Sequence, residues 1–260
     1  MFPVGASFDP NDTPNHRGIA KMIDLLVLNL GSRDTLDAEE IVLLEQTIRH
    51  ERLVLRGHDI VSEGSRPQES TLLLEGIAAR YRVLEDGKRQ ITALHVAGDF
   101  IDLHAFMLKT LDHSVVALSP CKVATAAHRD LVSVTRTHPH LSRLLWLSTV
   151  IDGAIHREWI VAMGRRSKKS HLAHLICELY VRLNVVGLVQ EASFHLNLSQ
   201  AEVADTLGVS LVHLNKTLQS LRRDGLVRWT NRIVTILDWD RLVHVAEFDD
   251  TYLNLRREPR

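Results

Sequence analysis

Hydrophobic positions follow two different periods along the chain, and the change of period divides it into parts. "GIAKMIDLLVLNL" and "LDAEEIVLLEQTIRH" carry apolar residues at helical spacing, and the second opens with acidic residues that suit a helix N-terminus. Before them, the first fifteen or so residues place Pro3, Pro10 and Pro14 among Asn and Asp. The N-terminal pattern therefore predicts a loose arm followed by two short helices.

From Arg52 to about His128 the pattern changes to short β-type runs. These runs read "RLVL", "DIVSEG", "TLLLEG", "ARYRVL", "RQITALHV", "SVVAL" and "CKVATAA". Asp86-Gly87 lies between two of them and predicts a hairpin turn, because Gly accepts the positive φ of a tight connection. Many short strands with frequent turns indicate a sandwich or jelly-roll barrel.

A long helix is predicted over "THPHLSRLLWLSTVIDGAIHREWIVAMG", with Pro139 in its first turn and Gly164 near its end. One stripe of this helix fits the a/d spacing of a two-helix seam, with Glu158 as its polar exception. Packing against the β domain and pairing with a second copy both explain the stripe at this point. Its residues are Leu144, Leu147, Ile151, Ala154, Glu158 and Val161.

Two short, tightly joined helices are predicted after the basic stretch "GRRSKK", a hinge candidate, and the amphipathic "SHLAHLICELYVRLNVV". Ser199 and Glu202 have capping-box spacing, Gly208 suits the sharp turn, and Ser210 can cap the second helix. A buried side follows until Gly225 ends the helix, formed by Leu211, Leu214, Leu218 and Leu221.

The small Ala204, the turn Gly208 and the apolar Leu214 have the spacing of a helix-turn-helix. The first turn of its second helix presents Asn, Lys and Val side chains outward. Asn can contact adenine, Lys can contact guanine or a phosphate, and Val can contact a thymine methyl. "GLVRW" and "IVTIL" around a polar turn predict a wing whose arginines reach phosphates. The alternative is a helical hairpin with a solvated charged face, but the agreement of these signals favours DNA. The predicted DNA-binding residues are Ser199, Gln200, Ser210, Val212, His213, Asn215, Lys216, Arg228 and Arg232.

Composition indicates in which compartment the protein is found and where along the chain positive charge is concentrated. A chain of 260 residues with 45% apolar content predicts two domains, and its formal net charge of -1 gives no global signature of a polyanionic partner. Residues 165–232, however, hold ten basic side chains against five acidic ones. Cys121 and Cys177 form no CxxC pair, and the sequence shows no secretion signal or membrane span. We therefore expect a cytoplasmic protein that does not enter membranes.

Three stretches together resemble the Crp/Fnr family of transcription regulators: "AGDFIDLHAF", "GRRSKKSHLAHLICEL" and "LSQAEVADTLGVSLVHLNKTLQSLRRDGLV". The resemblance implies an α+β chain with a cyclic-nucleotide-binding-like β-roll and its flanking helices at residues 20–136. A dimerisation helix at 137–164 and a winged helix-turn-helix at 165–245 would follow. It also favours the dimer explanation of the long helix, and it implies a homodimer on an inverted-repeat operator, with RNA polymerase as a candidate partner.

The effector positions depart from the family pattern. Members that bind cyclic AMP hold the ribose with a glutamate and the phosphate with an arginine, where this chain has Leu103 and His113. Leu103 cannot accept a hydrogen bond, and a His is mostly neutral near pH 7, so cyclic AMP is not the expected effector. Two cysteines cannot supply the four thiolates of an Fnr-like cluster. The effector stays unknown, and its candidate pocket comprises Asp102, Leu103, His104, His113 and Ser114.

The fifteen histidines suggest metal binding, haem binding or metal-dependent catalysis as other functions to consider. For the pairs His104/His113, His138/His140 and His171/His174, surface or hydrogen-bonded roles are favoured over metal or haem, because no ligand set is complete. A cupin-like metal enzyme would need His-x-His on a strand, but the one such motif begins a helix. A ligand-binding module without DNA binding is the remaining alternative. We expect no metal site and no enzymatic activity.

Overall fold

The computed structural model describes residues 22–260, so the predicted arm and the start of the first predicted helix lie outside the described residues. Two helices precede the first strand: α1 (Asp24–Gly31) and α2 (Ala38–Thr47). A capping box begins α2: Asp37 accepts from the Glu40 amide at 2.8 Å, and Glu40 accepts from the Asp37 amide at 3.1 Å. The second helix was predicted to reach His50, but Ile48 already pairs with Ala126 in a strand, and this buried contact ends the helix.

Between residues 48 and 127 the chain forms two antiparallel sheets that share an apolar interior. One has the order β1-β7-β3 and the other β2-β6-β4-β5. Gly87, with φ at +80°, turns the hairpin that joins the fourth and fifth strands, as predicted. The strands are β1 (Ile48–Val54), β2 (Asp59–Val61), β3 (Glu69–Glu75), β4 (Ile77–Val83), β5 (Arg89–Val96), β6 (Ser114–Ala117) and β7 (Cys121–Ala127). This is the predicted β-roll.

Helices follow the β-roll. The long α4 (Pro139–Arg165), which has Pro139 in its first turn, comes after α3 (His128–Thr137). A separate 3-10 helix (Leu103–Phe106) lies within the roll, between β5 and β6. Ser167 then caps α5 (Lys168–Val185) by accepting from the Ser170 amide at 3.1 Å.

The C-terminal part combines short helices with a small sheet of order β8-β10-β9. Its elements are β8 (Ser193–His195), α6 (Gln200–Leu207), α7 (Leu211–Arg223), β9 (Val227–Thr230), β10 (Ile233–Ile236), α8 (Trp239–Ala246) and a 3-10 helix (Asp250–Leu253). The predicted α+β class is confirmed.

The β-roll and the C-terminal part share one apolar cluster. Ile91 and Leu94 of β5 belong to the same buried group as Val203 and Leu207 of α6. Close packing of this kind transmits strain rather than absorbing it. Any reorientation of α6 therefore has to break contacts with the β-roll. Within residues 22–260, no helix is long and apolar enough to cross a membrane.

Candidate DNA-binding surface and effector domain

Helices α6 and α7 form the helix-turn-helix through caps that the sequence specifies. The Ser199 hydroxyl accepts from the Glu202 amide at 3.2 Å, and the Glu202 carboxylate accepts from the Ser199 amide at 2.6 Å. Gly208 ends α6 in the left-handed conformation, with φ at +61°. The Ser210 hydroxyl then accepts from the His213 amide at 3.4 Å and starts α7. Both helices are thus fixed in place by local hydrogen bonds.

Helix α7 has one buried and one open face. Leu214, Leu218 and Leu221 are buried and anchor the helix. Leu211 was expected on that buried side, but it is 46% exposed, because it is the first residue of α7 and precedes the turn that packs inward. The anchoring stripe therefore begins at Leu214.

The open face carries four of the nine predicted DNA-binding residues, and the others lie at the helix N-termini and on the wing. Val212 is 63% exposed, and Asn215 is half-buried beside it. The other residues of the set are all exposed: Ser199, Gln200, Ser210, His213, Lys216, Arg228 and Arg232. These side chains are therefore within reach of a partner, although the Ser199 and Ser210 hydroxyls already cap α6 and α7.

The wing is the tight hairpin formed by β9 and β10. Asn231 and Arg232 take φ values of +51° and +64°, the left-handed pair that a two-residue hairpin turn requires. Arg222 near the end of α7 donates to the Trp229 carbonyl and ties the wing to that helix. Arg228 and Arg232 project from this wing into solvent.

The predicted effector position Asp102 is committed to the protein's own backbone. It is 1% exposed and accepts hydrogen bonds from the Thr71 amide and, at 3.2 Å, from the Thr71 hydroxyl. Burial raises the pKa of Asp102 to about 7, and the Thr71 hydrogen bonds oppose that shift. Leu103 is buried and packs into the apolar cluster that also holds Leu26 and Leu144. Neither side chain is free to hold a ligand hydroxyl.

His104 and His113 lie together, with ring centroids 5.1 Å apart. Burial lowers the pKa of His104 to about 4, and it lowers the pKa of His113 as well. The Nε2 atoms of both rings are buried without a hydrogen-bond partner. Ser114 accepts from the Glu63 amide at 3.0 Å. Both imidazoles are therefore neutral near pH 7, so neither carries the charge that a phosphate would need.

A positive charge close to these histidines comes from Arg80, which sequence analysis did not select. Arg80 on β4 is 7% exposed, and its Nη1 donates to Asp152 at 3.0 Å and lies 3.1 Å from His156 Nε2. His95 is buried nearby, and burial together with the positive charge of Arg80 lowers its pKa. Asp152 and His156, four residues apart in the otherwise apolar middle of α4, were the available sequence signal. These contacts link the β-roll to the long helix.

The stripe predicted as a dimer seam is largely covered within the subunit. Leu144 is 0% exposed and Ile151 is 6% exposed, because α4 lies against the subunit's own apolar clusters. Leu147, Ala154 and Glu158 are half-buried, and Val161 is exposed. A seam through Leu144 and Ile151 therefore needs correction, since no second copy can reach those two residues.

A different face of α4 leaves apolar side chains in solvent. Trp146 is 69% exposed, Val150 is 47% exposed and Ile160 is 70% exposed. With Gly153 and Arg157 between them, these positions recur at alternating steps of four and three residues. This is the spacing of a coiled-coil seam.

The remaining histidines and the cysteines have protein surroundings. His140 lies 2.6 Å from Glu40 and 3.0 Å from Asp34, and hydrogen bonds to the two carboxylates raise its pKa. His138 lies 3.6 Å from Glu39, and His171 and His174 are buried in α5. Across residues 22–260, no group of three or more His, Cys, Asp or Glu side chains is placed to hold a metal. Cys121 and Cys177 are buried and unpaired.

Two domain families match the chain in the order that the structure shows. Residues 51–138 match the cyclic nucleotide-binding domain, and residues 170–245 match the Crp-like helix-turn-helix domain. Relatives cover most of the chain's length. This chain is 26% identical over 218 residues to the transcriptional activator protein FnrL of Cereibacter sphaeroides, and the match covers 82% of this chain and 86% of FnrL. The fumarate and nitrate reduction regulatory protein of Escherichia coli K12 is 22% identical over 214 residues, covering 82% and 84%.

Solved structures share the fold. FixK2 from Bradyrhizobium japonicum superposes with a TM-score of 0.69 at 21% identity, covering 75% of this chain and 96% of FixK2. FnrL is named a transcriptional activator and the Escherichia coli relative a regulatory protein, which points to a protein that is not an enzyme. The resemblance seen in the sequence is confirmed by matches to both halves of the chain, and the protein belongs to the Crp/Fnr family of transcription regulators, with a helix-turn-helix DNA-binding domain.

Proposed function

We propose that the chain acts as a homodimer that binds an inverted-repeat operator through α7. The observation that carries this proposal is the open face of α7, where Val212, His213 and Lys216 remain exposed although the helix is anchored on its other side. A two-fold dimer presents two such helices to successive major grooves, with half-sites centred about 34 Å apart. The cytoplasm, where chromosomal DNA is accessible, is the location this function requires.

The residue roles follow from side-chain chemistry and position. Asn215 can pair with adenine in a bidentate manner, Lys216 can reach guanine or a phosphate, and Val212 can contact a thymine methyl. His213 lies in the same exposed first turn of α7. Ser199, Gln200 and Ser210 lie at helix N-termini, where backbone amides favour phosphate. Arg228 and Arg232 on the wing contact the flanking backbone.

Dimerisation through the exposed face of α4 is part of the same proposal. Trp146, Val150 and Ile160 supply three apolar positions of a seam at heptad spacing, with Gly153 and Arg157 at the other two, and a second α4 would cover it. In the Ile160→Arg variant, like charges would meet across the seam, and we expect a monomer by light scattering after gel filtration. Leu53→Arg is the matched control, since Leu53 is 79% exposed on β1, and this variant should stay dimeric. A dimeric Ile160→Arg protein would contradict the seam.

Control by an unidentified signal other than cyclic AMP completes the proposal. The buried Leu103 offers no acceptor for a ribose hydroxyl, and the neutral His113 offers no charge for a cyclic phosphate. Because FnrL is named a transcriptional activator, RNA polymerase is the partner we propose at a bound promoter.

Selection from a random duplex library, followed by titration of fluorescent DNA, tests the DNA-binding proposal. We expect Asn215→Ala and Lys216→Ala each to weaken binding to the selected duplex by about 1–3 kcal/mol, with little change on random duplex. Lys109→Ala is the matched control, because Lys109 is exposed in the β-roll, outside the helix-turn-helix and the wing. Equal losses on both duplexes would show that these side chains touch only the backbone, and failure to select any sequence would refute the proposed function.

A further inference from the structure

The β-roll contacts α6, the first helix of the helix-turn-helix, through two ion pairs. Arg89 at the start of β5 donates to Asp205 from Nε at 3.0 Å and from Nη2 at 2.7 Å. Arg56, just after β1, donates from Nη2 to both carboxylate oxygens of Glu202, at 2.8 and 2.7 Å. The two carboxylates lie three residues apart on α6, so the pairs hold the helix at two separate points.

A third contact holds the C-terminal end of α6. The side-chain Nε2 of Gln90 donates to the Asp205 carbonyl at 2.9 Å and lies 3.4 Å from the Thr206 carbonyl. Carbonyls in the last turn of a helix have no partner within that helix, so this amide satisfies acceptors that would otherwise need water. Together with the two ion pairs, it fixes both the position of α6 along its axis and its rotation.

These contacts leave the proposed DNA face open. Gln200 at the start of α6 and Lys216 on α7 are exposed while the three contacts are in place. The β-roll therefore holds the helix-turn-helix without covering it. An occluding arrangement would have buried those side chains.

We infer that Arg56, Arg89 and Gln90 are positioning residues for DNA binding, an orientation lock by which the β-roll sets the pose of the helix-turn-helix. The inference rests on the proposed operator binding and deepens it. If the recognition helices are free to rotate, only a fraction of the dimers presents both of them correctly, and the apparent affinity equals the intrinsic affinity multiplied by that fraction. The lock keeps this fraction high, although its residues touch no DNA.

Charge reversal in the full-length chain tests the lock. Both members of the Arg89–Asp205 pair are about one-third exposed, so we expect Arg89→Asp to cost about threefold per subunit and about tenfold for a dimer. Binding is measured by fluorescence anisotropy on the selected duplex. The swap Arg89→Asp with Asp205→Arg rebuilds the pair in reverse, and it should restore affinity to within about threefold of the original chain.

Lys88→Asp is the matched control, because it changes the charge equally at the neighbouring position. The Lys88 side chain is 80% exposed and pairs with Asp86 on its own hairpin rather than with α6. We expect it to keep operator affinity within about twofold of the original chain. The neutral Arg89→Gln variant gives an intermediate loss and serves in place of Arg89→Asp should that protein fail to fold.

The outcomes distinguish a failure of the orientation lock from a failure of the proposed DNA-binding function. Operator binding that survives Arg89→Asp and Arg89→Gln unchanged overturns the lock and leaves the proposed function standing. A loss that the charge swap does not restore also overturns it, because a pose set by the ion pair has to return with the pair. An original chain that prefers no duplex would refute the proposed function itself.

Discussion

Replacing Arg182 with Met should destabilise the protein strongly, because Arg182 neutralises two carboxylates at the junction of α5 and the β-roll. Its guanidinium donates to Asp99 at 2.7 Å, to the Leu94 carbonyl at 2.9 Å and to Glu178 at 3.1 Å, and the side chain is 11% exposed. Glu178 is 0% exposed, so the substitution leaves a buried charge without its cation. Removing one partner of a buried pair costs about 3–5 kcal/mol. For a chain of this size we expect the Tm to fall by about 10 °C.

The pH dependence of this loss identifies its cause. Burial raises the pKa of Glu178, and the nearby Arg182 opposes that shift. Without the cation the pKa rises further, so the defect of Arg182→Met is greatest at high pH and shrinks as pH falls and Glu178 takes up a proton. Scanning calorimetry at pH 5 and pH 8 measures both effects. Arg241→Met is the control, because Arg241 is 62% exposed, and its loss should stay within about 1 kcal/mol. A defect for Arg182→Met as small as that of the control, or equal at both pH values, would refute this reasoning.

Two further predictions concern a glycine pair and a histidine. Gly76→Ala should cost about 3 kcal/mol and Gly87→Ala about 1 kcal/mol in urea unfolding: both have positive φ, but only at Gly76 would a Cβ lie 2.6 Å from the Pro120 carbonyl. Similar losses for both would show that the close approach is relieved without cost. His140→Gln should lower stability at pH 6 and progressively less above pH 6.5, since hydrogen bonds to Asp34 and Glu40 raise the pKa of His140 and stabilise its charged form. Urea midpoints at pH 6, 7 and 8.5 test this, and a gap between the two proteins that does not change with pH would contradict it.

The helix-turn-helix could be predicted from sequence because its signals are local. The Ser199–Glu202 spacing specifies a cap, and Gly208 accepts a conformation that other residues resist. Each signal involves side chains only a few positions apart. Such contacts form whatever the rest of the chain does.

The long-range contacts could not be predicted in the same way. Helix α4 is apolar on more than one side, and the spacing of its residues does not say which stripe the subunit covers, so Leu144 was assigned to a seam while Trp146 was passed over. Arg80 and Asp152 meet only because β4 and α4 pack together. Ile48 fits either a helix or a strand, and its pairing with Ala126 decided the outcome.

The buried cysteines make this chain convenient to label. Cys121 is 1% exposed and Cys177 is 0% exposed, and burial raises the pKa of both thiols. Since the reactive species is the thiolate, a maleimide dye has little to attack in the folded protein. A single cysteine placed at the exposed Gln219 would take up the dye without removal of the native pair. Light emitted from that position would then report the arrival of DNA beside the helix.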